Sequence, residues 1–183
     1  MNKDFLVVYK SVTGFTEQYG RWIAEELGCE VVELKAVSAK KMGEYHTVIY
    51  GGRFHAGVVD GLKRGKELFK ISGAQRLIVF ATGATPDTQT GMIAEAWKNN
   101  LTKEELNGIP HFYMESGLRY DNMPLGDKLM LKAFGAMVKG KKEKTEYEKA
   151  MAEALGTSYD HSSKGKIEPL LDCAVKIRME CNK

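Results

Sequence analysis

Short, nearly continuous apolar runs recur along this chain. Longer stretches separate them, in which apolar residues return every three or four positions. Phe5–Tyr9, Thr47–Tyr50 and Leu77–Phe80 have the pattern of strands buried on both faces of a parallel sheet. Cys29–Lys35 reads as a second, edge strand and His111–Met114 as a fifth. Between them, helical spacing predicts helices over 15–27, 60–71 and 90–99. In the first of these, Tyr19, Trp22, Ile23 and Leu27 share a face. Strands alternating with helices imply βαβ units with right-handed crossovers. The expected fold is α/β and doubly wound, with a five-stranded parallel sheet of order 2-1-3-4-5.

The last third is less regular. A helix over 124–138 carries Leu125, Leu129, Ala133, Phe134 and Met137 on one stripe. The basic run Lys139–Lys144, a helix over 145–155 and a final helix over 166–179 follow. In the final helix Ile167, Leu170, Leu171, Ala174 and Ile177 form the buried face, placed beside the first helix. The expected organisation is one domain over 1–183, with an extra helical segment at about 118–160. The stripe over 124–138 predicts packing on the core with a solvated lysine face. The alternative is a basic amphipathic face against anionic lipid, built from Met130, Phe134 and Met137 with Lys128, Lys132 and Lys139.

A chain of 183 residues suffices for one well-buried α/β domain. No apolar run approaches the roughly 20 residues that cross a bilayer. Met1–Asp4 leads straight into the first strand, so no signal peptide is expected. Cys29, Cys173 and Cys181 are odd in number and widely spaced, as expected for free thiols in a reducing compartment. The expected location is cytoplasmic, with peripheral contact at the inner face of the membrane as an addition. The net charge of +3 is mild. The basic residues show no interleaved aromatics and no nucleic-acid motif, so no nucleic-acid partner is expected. No metal constellation is visible: His46, His111 and His161 sit at element boundaries without evident partners.

In a sheet of this order, ligands bind outside the carboxyl ends of the strands, at the switch between the first and third. Three loops leave from that edge: Ser11–Thr16, Gly51–Gly57 and Thr82–Thr88. The first, Ser11-Val12-Thr13-Gly14-Phe15-Thr16, passes from a buried strand to a helix N-terminus. There, unpaired N–H groups and the dipole favour an anion. Its three hydroxyls and one glycine suit a phosphate. Neither G-x-x-x-x-G-K-[ST] nor G-x-G-x-x-G occurs. A cradle without lysine resembles the flavin mononucleotide (FMN) loop of flavodoxins, S/T-x-T-G-x-T. That resemblance implies a flavodoxin-like three-layer sandwich with FMN as cofactor. The second loop offers Gly52, Arg53, Phe54 and His55, with Phe54 available to lie against the ring. The third offers Thr82, Gly83, Ala84 and Thr85 with backbone amides. Arg53 and His55 are either solvated or tune the flavin, a cation near its N1–C2 edge raising the potential. No protein nucleophile or carboxylate pair is implied, so the chemistry rests on the flavin.

Gly117-Leu118-Arg119-Tyr120 and Asp127–Lys132 extend the resemblance to the flavodoxin-type, menaquinone-linked protoporphyrinogen IX dehydrogenases. That resemblance covers most of the chain. It implies oxidation of protoporphyrinogen IX with a quinone acceptor, and Gly117–Tyr120 as the loop closing the flavin edge. The partners implied are small hydrophobic redox substrates, a porphyrinogen or a quinone. Arg53 and Arg119 would meet the propionates. The chain departs from those enzymes over 82–91 and in its short connection between Trp97 and His111. The rival readings are an electron-transfer flavodoxin without its own substrate, against which the lack of acidic bias counts, and a flavin-free binding module.

Overall fold

A computed structural model describes residues 3–181 of the chain. Met1 and Asn2, where the lead into the first strand begins, lie outside the described residues, as does the Cys181 side chain. The chain divides into two compact units, Met1–Ser116 with His161–Lys183, and Gly117–Asp160.

Among the described residues of the first unit, the strands are β1 (Phe5–Tyr9), β2 (Glu30–Glu33), β3 (Thr47–His55), β4 (Val58–Val59), β5 (Arg76–Gly83) and β6 (His111–Glu115). They form one sheet of order β2-β1-β3-β5-β6, parallel throughout, with β4 added antiparallel to β3. The order of the five parallel strands is the expected one. The helices α1 (Phe15–Leu27), α2 (Ala39–Met42), α3 (Leu62–Ser72), α4 (Thr90–Lys98) and α5 (Lys103–Gly108) belong to the same unit. In the second unit β7 (Gly117–Leu118) and β8 (Tyr159–Asp160) flank α6 (Leu125–Gly140) and α7 (Glu146–Ala154). The closing helix α8 (Glu168–Cys181) returns to the first.

Alternate residues along each strand feed two cores. Leu6, Val8, Val48, Tyr50, Leu77 and Val79 pack under α2, α3 and α4, through Met42, Leu62, Leu68 and Trp97. Phe5, Val7, Ile49, Ile78 and Phe80 pack under α1 and α8, through Tyr19, Ile23, Leu170, Ala174 and Ile177. This is the three-layer arrangement, and α8 buries the face its spacing predicts. Two glycines make the packing possible. A Cβ at Gly51 would lie 2.0 Å from Phe80 Cζ, and one at Gly65 would lie 2.7 Å from the Tyr50 ring. The bulky residue in each pair occupies the space the glycine leaves. Burial pushes the Cys29 thiol up to about 11, so it is inert near neutral pH. Cys29 and Cys173 are free.

An ion pair ties α3 to α5. Lys66 Nζ on α3 reaches both oxygens of Glu105, at 2.7 and 2.9 Å. Glu105 also closes a capping box with Thr102 at the start of α5. Burial pushes the Glu105 carboxyl up, but Lys66 and the Thr102 N–H outweigh it, and the net shift is downward. A carboxylate held low stabilises the fold above its unfolded value. That contribution is lost as pH falls through the lowered value. Lys66→Met should therefore cost about 1 kcal/mol at neutral pH, and this cost should shrink below about pH 4. Urea unfolding of both proteins across that pH range checks it.

In the second unit, Gly117 and Leu118 pair with Asp160 and Tyr159. The helices α6 and α7 meet where Gly135 admits Leu155, and Val138 is fully buried. Here the expected stripe is corrected. Leu125, Leu129 and Met137 are exposed, together with Ala133 and Met130. Of the expected stripe only Phe134 is on the packed face, which it shares with Leu131, Gly135 and Val138, so it does not belong to the exposed apolar side either. Periodicity marks an apolar stripe, but a helix with two such stripes does not reveal which one finds a neighbour.

Candidate functional site

The carboxyl ends of β1, β3 and β5 lie side by side, so the segments that follow them gather at one edge. After β1, Ser11 and Thr13 are half-buried, Val12 is exposed, and Phe15 and Thr16 are buried as α1 begins. Gly14 has φ 92°, the left-handed region that a side chain disfavours. Ser11 Oγ accepts the Gly14 N–H at 3.1 Å and closes the loop. The residue at the Ncap position of α1 is Gly14, which has no side chain to cap the helix. By contrast α5 and α7 carry their own threonine caps. A turn that brings backbone N–H groups to the start of a 13-residue helix, with hydroxyls beside it, fits a phosphate dianion.

Thr16 ties this loop to the third. Its Oγ1 lies 2.8 Å from Thr82 Oγ1, and both are buried. Thr82 and Gly83 are the last residues of β5 rather than loop residues, and Ala84 and Thr85 follow. A Cβ at Gly83 would lie 2.9 Å from the Tyr113 hydroxyl. That hydroxyl donates to the Thr85 carbonyl at 2.6 Å.

The second expected loop is a β-hairpin. Gly52, Arg53, Phe54 and His55 complete β3, and Phe54 and His55 pair with Val59 and Val58. Ala56 and Gly57 form the two-residue turn at φ 50° and 79°. Positive φ at both positions matches the twist of the flanking strands. Asn100 clamps this turn. Its side chain accepts the Val59 N–H at 2.7 Å and donates to the Gly57 carbonyl at 2.8 Å. Arg53 is neither solvated nor available as a lone cation: its Nε lies 2.6 Å from Asp60 Oδ2, and both side chains are mostly buried. The Phe54 ring stacks on Tyr113, with centroids 5.8 Å apart, and meets the Trp97 ring edgewise at 5.0 Å.

Phe54, Ala56, Gly57, Thr85, Met92, Ile93 and Tyr113 are among the residues lining a groove of about 420 Å³ between the hairpin and α4. That size lies within the roughly 300–1,000 Å³ of small-molecule sites. Its walls are largely apolar, with Ala56, Gly57 and Thr85 among the lining residues, which suits a flat aromatic ring system.

A polar cluster fixes the third loop from behind. Glu115, at the end of β6, is buried; His161 Nδ1 lies 2.8 Å from its Oε1 and Lys166 Nζ 3.3 Å from its Oε2. Lys166 also reaches Asp87 at 2.6 Å. Burial works against the Lys166 charge, but the carboxylates of Asp87 and Glu115 outweigh it and hold its pKa above the usual value. Hydrogen bonding to Lys166 holds the Asp87 carboxyl low. Spacing along the chain shows no partner for His161, because Glu115 lies 46 residues away on another element. His111 and His46 also have partners, the Ile109 carbonyl and Thr47 Oγ1. Among the described residues no cluster of ligands could hold a metal. Gly117, Leu118, Arg119 and Tyr120 belong to the second unit, where Arg119 lies 3.5 Å from Asp160.

The doubly wound sheet, the glycine-bearing turn Ser11–Thr16 at the start of α1 and the apolar groove at one edge have the layout of the flavodoxin type. A flavodoxin-domain family model matches residues 6–145, and the chain belongs to that family. Its cofactor is FMN and its role is redox. Comparison with curated proteins gives no match. Among solved structures, the chain is similar to a flavodoxin from the domain Archaea, at 15% identity and TM-score 0.36, over 61% of this chain and 84% of that one. It is also similar to a WrbA-like flavodoxin from Agrobacterium tumefaciens, at 14% identity and TM-score 0.41, over 69% and 88%. A third is rubredoxin oxygen:oxidoreductase from Desulfovibrio gigas, at 15% identity and TM-score 0.40, over 95% of this chain and 37% of that one. Among the described residues no helix is long and apolar enough to cross a membrane.

Proposed function

We propose that this chain is an FMN-dependent oxidoreductase that takes electrons from a hydrophobic donor and delivers them to a quinone-type acceptor. In its most specific form the donor is protoporphyrinogen IX. When bound, FMN supplies the electron and hydride chemistry. Ser11–Thr16 hold its phosphate through hydroxyls and backbone amides. Thr82–Thr85, pinned through Thr16, Tyr113 and the Asp87–Lys166 pair, offer backbone groups to the ring edge. Phe54 and Tyr113 present an apolar wall that keeps water from one side of the ring. The observation that carries the reading is the largely apolar groove beside the third loop, lined by Phe54, Met92, Ile93 and Tyr113.

One observation favours a second reading, an electron-transfer flavodoxin with no substrate of its own. Arg53 is tied to Asp60, and Arg119 already has Asp160 as a carboxylate neighbour, so both cations that would meet porphyrin propionates have partners. An anaerobic assay separates the two. FMN-loaded protein is mixed with protoporphyrinogen IX and a soluble quinone, and porphyrin fluorescence is followed. Quinone-dependent porphyrin formation is expected. No turnover with the porphyrinogen, combined with rapid reduction through a reductase partner, would select the second reading.

A further inference from the structure

The exposed side of α6 is apolar along its whole length. Leu125, Leu129, Met130, Ala133, Ala136 and Met137 fall within roughly 140° of arc at 3.6 residues per turn. No charged residue lies within that arc. Leu125 is 79% exposed, Leu129 65% and Met137 54%. The opposite side of the helix is spent on packing within its own unit, through Gly135 against Leu155 and buried Val138. This is therefore a second apolar face, additional to the one that folds the unit.

Charge identifies what covers it. Lys128, Lys132 and Lys139 line one edge of the arc, and the run from Lys139 to Lys144 continues beyond the helix with Glu143 as its one acidic residue and with Lys141 paired to Glu148. The one carboxylate on α6, Asp127, is half-buried and on the packed side. A second copy laid antiparallel on this face would bring the lysine rows of the two α6 helices together, with no α6 carboxylate between them. An anionic bilayer matches both features: acyl chains take up the leucines and methionines, and headgroups neutralise the lysines. We propose that α6 is an interfacial helix that docks this protein on an anionic phospholipid surface, lying in the plane of the membrane with Leu125, Leu129, Met130 and Met137 inserted. This inference goes beyond the redox reading and does not rest on it.

Flotation of the full chain, loaded with FMN, with phosphatidylglycerol-containing and pure phosphatidylcholine vesicles tests it. The wild type should float with the anionic vesicles and stay behind with the zwitterionic ones. A double variant, Leu129→Glu with Met137→Glu, should bind at least about tenfold more weakly. Lys132→Glu with Lys139→Glu should weaken binding severalfold while keeping the apolar face. All four substitutions are at exposed positions, so circular dichroism and the flavin absorbance should not change. Failure of the wild type to bind anionic vesicles overturns the proposal, as does equal binding by the variants. A wild-type dimer in light scattering that the Leu129/Met137 variant dissociates would also overturn it, by showing that a second copy covers the face.

Discussion

Replacing Gly14 with valine is expected to weaken FMN binding about a hundredfold. Gly14 stands at φ 92°, where a β-branched residue is strained by roughly 1–2 kcal/mol or more. The loop relieves that strain by turning its backbone back toward the β or αR regions. The N–H groups that open α1 are then displaced from the positions the turn gives them. Hydrogen bonds to a charged group contribute about 1.5–3 kcal/mol each, so losing one or two of them accounts for the effect. Fluorescence titration with FMN measures the affinity. The melting temperature of the flavin-free variant reports the strain separately, and should fall by only a few degrees. A variant with wild-type affinity would mean that the phosphate does not rest on this turn.

The second large effect concerns the core beneath the site. Phe80 is fully buried on β5, and its ring occupies the space above Gly51 on β3. Phe80→Ala should cost about 3–5 kcal/mol, the transfer term plus a cavity. Gly51→Ala alone should cost about 1–3 kcal/mol, because its Cβ would meet the ring at 2.0 Å. Combined, the two substitutions should cost clearly less than their sum, since the new methyl enters the space the ring has left. Urea unfolding of the four proteins completes the cycle. Additive costs would show that Gly51 and Phe80 do not share that space.

These two sites also mark how far the sequence could be read. The sheet order was legible because buried strands are continuous apolar runs, and so was the place of Ser11–Thr16 in the fold, directly between one such run and a helix. The hairpin after β3 was not legible. Gly51 and Gly52 look like the end of a strand, yet they are there because Phe80, Val59 and the Asp60 backbone occupy the space a side chain would need. Ala56 in the left-handed region gives no signal in composition. The stack of Phe54 on Tyr113 joins residues from two elements that only the sheet brings together, across small Ala81 and Gly83 on β5. The same holds for Asp87, Glu115, His161 and Lys166, which meet only once α8 returns to the sheet. On α6 the periodicity showed apolar stripes but not which of them would remain exposed.

FMN held by its phosphate is the centre of this account. Titrating the wild-type apoprotein in parallel with FMN and with riboflavin, which lacks only the phosphate, tests it most directly. FMN should bind at least about a hundredfold more tightly, the contribution expected of a dianion on charge-assisted hydrogen bonds. Equal affinities for the two flavins, or no binding of either, would contradict it.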